Sequence, residues 1–121
     1  MKKQRGVTYE QVLEMALALP GVEAGPSYGT PGLRVGKKFM ARLREPDVLV
    51  LKPIDDIEQR FLMETQPGVY FKTDHYVGHP SILIRLSKAD AGELRDLIER
   101  CWSQLATRKL LAEYEAPVVS R

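Results

Sequence analysis

A single cysteine, Cys101, stands in the 121-residue chain. It excludes an internal disulfide and any thiolate-rich metal cluster, and it fits a reducing cytoplasm. No run approaches the ~18 apolar residues that a membrane span requires. The basic start Met1-Lys2-Lys3-Gln4-Arg5 continues into Gly6-Val7-Thr8-Tyr9-Glu10-Gln11, where a signal peptide needs its apolar stretch. Charge of one sign is also scarce. The net charge is +2 and the pI near 8.7, short of the value above about 9 that marks a dedicated nucleic-acid domain. There is no internal repeat, low-complexity tract or interdomain linker. These absences predict one soluble, cytoplasmic domain over residues 1–121, with no contact with membrane. At this length it can bury roughly two thirds of its unfolded surface.

What is present is organised around Ser27–Leu43. Leu33, Val35, Phe39, Ala41 and Leu43 share one parity, and Arg34, Lys38, Met40, Arg42 and Arg44 share the other. Strand side chains alternate faces, so the stretch predicts a hairpin with an apolar and a basic side. A two-residue Gly36-Lys37 turn would set Val35 opposite Lys38 and Arg34 opposite Phe39, placing core beside charge. A three-residue loop, Gly36 to Lys38, pairs Val35 with Phe39, Leu33 with Ala41 and Arg34 with Met40, and keeps both faces consistent.

Around that hairpin the chain follows a simple order. Thr8 and Gln11 form a capping box ahead of Val12, Leu13, Ala16 and Leu17. Residues 21–31 form a Gly/Pro-rich connector, ordered by Tyr28. After Glu45-Pro46-Asp47, the segment Val48–Lys52 predicts another strand, with Leu49 opposite Leu43. Asp55 and Glu58 cap a helix over roughly 56–65. Val69–Lys72 and Ser81–Leu86 predict two more strands, Val69 and Phe71 facing inward in the first. Ser87 and Asp90 cap a long helix whose stripe is Leu94, Leu97, Ile98, Cys101, Trp102 and Leu105, and Thr107 begins a final turn. The order α-β-β-β-α-β-β-α predicts an α+β two-layer sandwich, an antiparallel sheet with helices on one face.

Leu19-Pro20-Gly21-Val22-Glu23, Ser27-Tyr28-Gly29-Thr30-Pro31, Arg34-Val35, Lys38-Phe39 and Arg42 together resemble the MmcQ/YjbR family of small prokaryotic proteins. Tyr76-Val77-Gly78-His79-Pro80 and Ile82–Leu86 continue the resemblance, which covers about residues 8 to 114. It implies a fold like that of type III secretion chaperones or double-wing DNA-binding domains, and it implies DNA binding.

The sheet face away from the helices is the first candidate site. It is expected to carry Arg34, Lys38, Arg42, Arg44, Lys52, Lys72 and Arg85 with no carboxylate of the same parity, and Met40 and Tyr70 among them. The acids concentrate on the helices. Such segregation makes a stripe that neutralises phosphates even at small net charge; the blander reading is an ordinary polar outer face. Phosphate contacts to duplex DNA fall to Arg34, Lys38, Arg42, Arg44, Lys72 and Arg85, with Tyr70 or Tyr76 able to stack. Asp74-His75-Tyr76-Val77-Gly78-His79 is the second candidate. Gly78 and Pro80 make it a loop rather than a chelating helix, and no nucleophile accompanies it, so it packs on the sheet or touches a ligand. Gly29 to Lys38 fails as a phosphate loop on spacing. Cys101 belongs to the core, and Trp102 to the core or its rim rather than to a base-stacking platform. No metal, cofactor or catalytic set is expected. The alternative is a protein-binding module whose partner is another protein or a second copy of the chain, through an outward apolar patch at Met40, Val50 and Leu83.

Overall fold

The structure is a computed structural model describing residues 5–115. Thr8 opens α1 (Tyr9–Leu17) with a complete capping box: its hydroxyl accepts from the Gln11 N–H, and its own N–H donates to the Gln11 side chain. Four strands follow as consecutive antiparallel neighbours: β1 (Val22–Ser27), β2 (Thr30–Val35), β3 (Lys38–Glu45) and β4 (Val48–Leu51). Asp55 caps α2 (Asp56–Thr65), which leads into the short β5 (Tyr70–Phe71) and β6 (Ile82–Arg85). Asp90 caps α3 (Ala91–Leu105), and α4 (Arg108–Glu115) closes the described chain, with Thr107 accepting from the Leu110 N–H. The sheet order is β1-β2-β3-β4-β6-β5, antiparallel throughout. The class is α+β, as the order of elements predicts.

One core fills the space between helices and sheet. Ala16, Leu62, Leu94, Leu97 and Trp102 meet Leu33, Leu49, Ile82 and Ile84 there. The apolar stripes of α1 and α3 recur every third or fourth residue, so each helix turns one side to this layer. Trp102 is buried, and its indole N–H donates to the Pro20 carbonyl at 2.8 Å.

Residues 21–31 are more than a connector. Val22–Ser27 forms the edge strand β1, paired with β2 from Val22↔Val35 to Ser27↔Thr30. Tyr28 and Gly29 make the turn, with φ of 53° and 77°. Positive φ at both central residues is the type I′ pattern, which suits the twist of the flanking strands.

The register of β2 and β3 also departs from expectation. Leu33 does pair with Ala41, but the turn has two residues, Gly36 and Lys37, so Val35 faces Lys38 and Arg34 faces Phe39. Gly36 has φ of 62° and stands first, as a type II′ turn requires. The mismatch is absorbed by a β-bulge, in which Met40 is the extra residue. Met40 and Ala41 therefore both enter the core, Phe39 turns outward and Lys38 turns toward the helices. β3 repeats the device at its other end. Leu43 pairs with Leu49 as predicted, yet Glu45 pairs with Val48 around a two-residue turn, leaving Arg44 as the extra residue.

Val69 is in the core as predicted, but β5 after it has the opposite parity to the one predicted. Tyr70 pairs with Ile84 on the core face, while Phe71 pairs with Leu83 on the outer face. The Tyr70 hydroxyl donates to Glu93 Oε1 at 2.7 Å, and Gln66 donates to the same carboxylate. Burial, then the Glu93 hydrogen bond and charge, push the Tyr70 phenol far up. Burial likewise pushes the Cys101 thiol from 9.0 up to about 12.

Two predictions follow from this packing. Met40→Ala opens a core cavity and should cost about 2–5 kcal/mol. Phe39→Ala should cost only about 1 kcal/mol, the scale of partial burial and an exposed cation–π contact. Urea unfolding of both variants checks the bulge, and equal costs would contradict it. The second concerns pH. Above the ordinary thiol value the unfolded Cys101 ionises while the native one keeps its proton, so the native state holds more protons there. Stability should therefore fall as pH rises through 9.0 toward about 12. Tyr70 adds a loss of the same sign above 10.0, so Tyr70→Phe should flatten the alkaline decline in urea midpoint.

Candidate nucleic-acid interface

The outer face of the sheet is not bare. Val48, Val50 and Leu83 form a second small apolar cluster there, covered by Phe71 and Tyr76. Tyr76 comes from the segment between β5 and β6, which crosses the sheet as a single helical turn at Asp74–Tyr76. Lys72 anchors that segment: its ammonium donates to Gln59 Oε1 and to the His79 carbonyl, both at 2.8 Å. Gln59, buried on α2, donates in turn to the carbonyls of Ile54 and His79.

Around this cluster four cations stand over four aromatic rings. Arg42 lies 5.5 Å from the Tyr28 ring centre, Arg44 5.9 Å from Tyr76, Lys52 5.8 Å from Phe39 and Arg85 4.0 Å from Phe71. Each contact is worth about 0.5–1 kcal/mol at an exposed site. Arg42 is held most closely, with one guanidinium nitrogen donating to Thr30 Oγ1 at 3.1 Å and the other to the Tyr76 hydroxyl at 3.4 Å. Its cross-strand neighbour is Gly32, where an added Cβ would come within 2.6 Å of the Ser27 Cβ. Glycine there lets β1 and β2 close beside Arg42.

Between the Tyr28 turn and the Tyr76 segment lies a cleft of about 360 Å³. Phe39, Arg42, Val50 and Lys52 line it from the sheet, and His75, Tyr76 and His79 from the crossing segment. Among the described residues that line it there is no carboxylate. The rings of His75 and His79 each meet Tyr76 edge-on, at 5.4 and 6.1 Å. Such a lining suits an anionic ligand with a flat aromatic part.

The expected site residues divide. Arg34, Arg42, Arg44, Arg85 and Tyr76 do lie on the outer face. Lys38 does not: its stem follows the inward turn of β3 and its ammonium donates to the Leu105 carbonyl at the end of α3, 3.2 Å away. A cation satisfies the open carbonyls of a helix C-terminus. Lys72 is engaged by Gln59 and His79, and Tyr70 is buried on the core side. The face also carries acids. Glu23 stands opposite Arg34 across β1–β2, and Glu45 lies 3.2 Å from Arg44. Both escaped the parity count because β1 was read as a connector and the bulge at Arg44 was not foreseen. The apolar patch expected at Met40, Val50 and Leu83 is not exposed, since Met40 is in the core and the other two are covered.

Tyr28 and Phe39 join the site instead, beside Lys52, which lies on the outer face as expected. Phe39 was assigned to the core by simple alternation. The available sign of a hairpin apex is Tyr28-Gly29 between Val22–Ser27 and Thr30–Val35. Tyr28 is 88% exposed, and its left-handed backbone costs a non-glycine residue about 1–2 kcal/mol.

Residues 17–104 match the YjbR family model. The chain belongs to the MmcQ/YjbR family. The matched span runs from the end of α1 nearly to the end of α3 and includes every residue of the cleft. The chain is also 31% identical, over 70 residues, to uncharacterized proteins of Mycobacterium bovis and Mycobacterium tuberculosis. Those matches cover 58% of this chain and 54% of each relative, so the chain spans about half the length of the curated relatives it matches. No solved structure matches it. Among the described residues no helix is long and apolar enough to cross a membrane, and no three His, Cys, Asp or Glu side chains converge to hold a metal.

Lys72 should be the bolt of the outer segment. Lys72→Met removes the donor that holds the His79 carbonyl and Gln59, and should speed hydrogen exchange at the Tyr76 and His79 amides by about tenfold or more. Core amides of β4 and β6 should keep their protection. Unchanged exchange at 76 and 79 would mean that packing of Tyr76 alone secures the segment.

Proposed function

We propose that this chain is a non-enzymatic nucleic-acid-binding module acting through the outer face of its sheet. The observation that carries the reading is the cleft beside Arg42, lined by cations and aromatic rings without a carboxylate. Arg42 and Lys52 are its central phosphate contacts, and Arg44, Arg85 and Arg34 extend the positive surface along the sheet. Opposing acids weaken Arg34 and Arg44, so they contribute less than the central pair. Backbone phosphates supply the affinity, and these cations orient the strand without reading its sequence. The tyrosines add stacking surface, which tolerates any base. Covering of Val50 and Leu83 leaves the protein-binding alternative without the patch that motivated it.

Salt titration of binding to a labelled oligonucleotide tests the reading. Arg42→Ala and Lys52→Ala should each weaken binding and lower the slope of log K against log salt by about one. Lys38→Ala should leave the slope unchanged, because its ammonium is spent on the Leu105 carbonyl. Unchanged slopes for Arg42 and Lys52 would remove the cleft from the interface.

A further inference from the structure

A stripe of phosphate contacts has no use for Tyr28 as the structure holds it. The residue occupies the first position of a tight turn in a left-handed conformation, where glycine or asparagine would sit without strain. The residue is 88% exposed, so burial does not repay that strain. It lines the cleft and packs against the Arg42 guanidinium, which also donates to the Tyr76 hydroxyl. Strain kept at an exposed position points to a task outside folding.

We infer that the cleft receives an unpaired base of a single-stranded nucleic acid, stacked on Tyr28, with the neighbouring phosphates on Arg42 and Lys52. The inference rests on the nucleic-acid reading above and sharpens it to strand state. Three features separate a single strand from a duplex. In a duplex the flat faces of the bases are hidden in the stack, so an exposed tyrosine has nothing to stack on. Unpaired bases offer that face, and aromatic side chains on an open sheet are a common way to take them. The cleft is also recessed between the Tyr28 turn and the Tyr76 segment, which suits a splayed nucleotide better than a rod with phosphates on its convex surface. Its volume of about 360 Å³ falls in the range of small-ligand sites, which begins near 300 Å³. Finally, two more ring–cation pairs lie on the same face, Tyr76 with Arg44 at the wall of the cleft and Phe71 with Arg85 beyond it. That arrangement tracks a chain of alternating bases and phosphates.

The test compares a labelled mixed-sequence DNA strand of about twelve nucleotides, within the site sizes such grooves cover, with its own duplex and with a free mononucleotide. Fluorescence anisotropy at one salt concentration reads all three. The single strand should bind about tenfold or more tighter than the duplex, and the mononucleotide should compete only weakly. Tyr28→Gly should lower single-strand affinity by about tenfold, the loss of one stacking contact, while raising the melting temperature because the turn relaxes. A purely structural tyrosine would not move the two in opposite directions. Tyr28→Phe keeps the ring and should keep the affinity. Equal binding of strand and duplex, or undiminished strand binding by Tyr28→Gly, would overturn the inference and leave the phosphate reading standing. A mononucleotide that binds as tightly as the strand would overturn it in favour of a free nucleotide ligand. Failure of both strand and duplex to bind would overturn the underlying reading as well.

Discussion

In an antiparallel pair, a slip of one residue exchanges the faces of every side chain beyond it. β3 takes two such slips, at Met40 and at Arg44, and the two-residue turns on either side of it make both necessary. Between the slips Leu33 meets Ala41 and Leu43 meets Leu49, so the centre of the strand keeps its apolar side toward α1 and α3. Beyond them the assignment is reset. Met40 joins the core, Phe39 faces outward and Lys38 reaches the helix layer. The composition of both faces depends on those bulges, and so does the cleft.

This dependence explains which parts could be read in advance. Helix caps announce themselves locally: Thr8 with Gln11, Asp55 and Asp90 each stand where the structure uses them. Ser87, expected to share the last cap, instead binds the Asp47 carboxylate. Long apolar stripes survive small errors of boundary, and α3 holds as predicted. Strand faces do not survive them, because a single unpaired residue inverts all that follows. The parity argument kept Leu33, Ala41 and Leu43 in place and misassigned Met40, Phe39, Lys38 and Tyr70. For Lys38 and Lys72 the charge was visible, but its partners, the Leu105 carbonyl and Gln59, lie 67 and 13 residues away in the chain. Tyr28 is legible as part of the family motif and as a residue that could share a pocket with His75 and His79, but its turn is not, since a tyrosine with positive φ runs against the ordinary preference for glycine or asparagine in such turns.

The outer face combines two demands that usually conflict. A sheet surface gains stability from buried apolar side chains, whereas cations need water or a counter-charge. Here the two are layered. Val48, Val50 and Leu83 are sealed by Phe71 and Tyr76, and Arg85 and Arg44 rest on the rings of those same two residues. The flat or aliphatic parts of the cations cover hydrocarbon, and Arg44 also reaches the Glu45 carboxylate.

The sheet's two margins carry a different lesson. At one side β1 presents Glu23 and Pro26 to the outside, and at the other β5 offers only two residues. A proline cannot donate to an added strand, a buried carboxylate is costly, and two residues give too short a template for stable pairing. Neighbouring molecules therefore find no convenient place to continue the ladder, and the domain is guarded against polymerising along its rims.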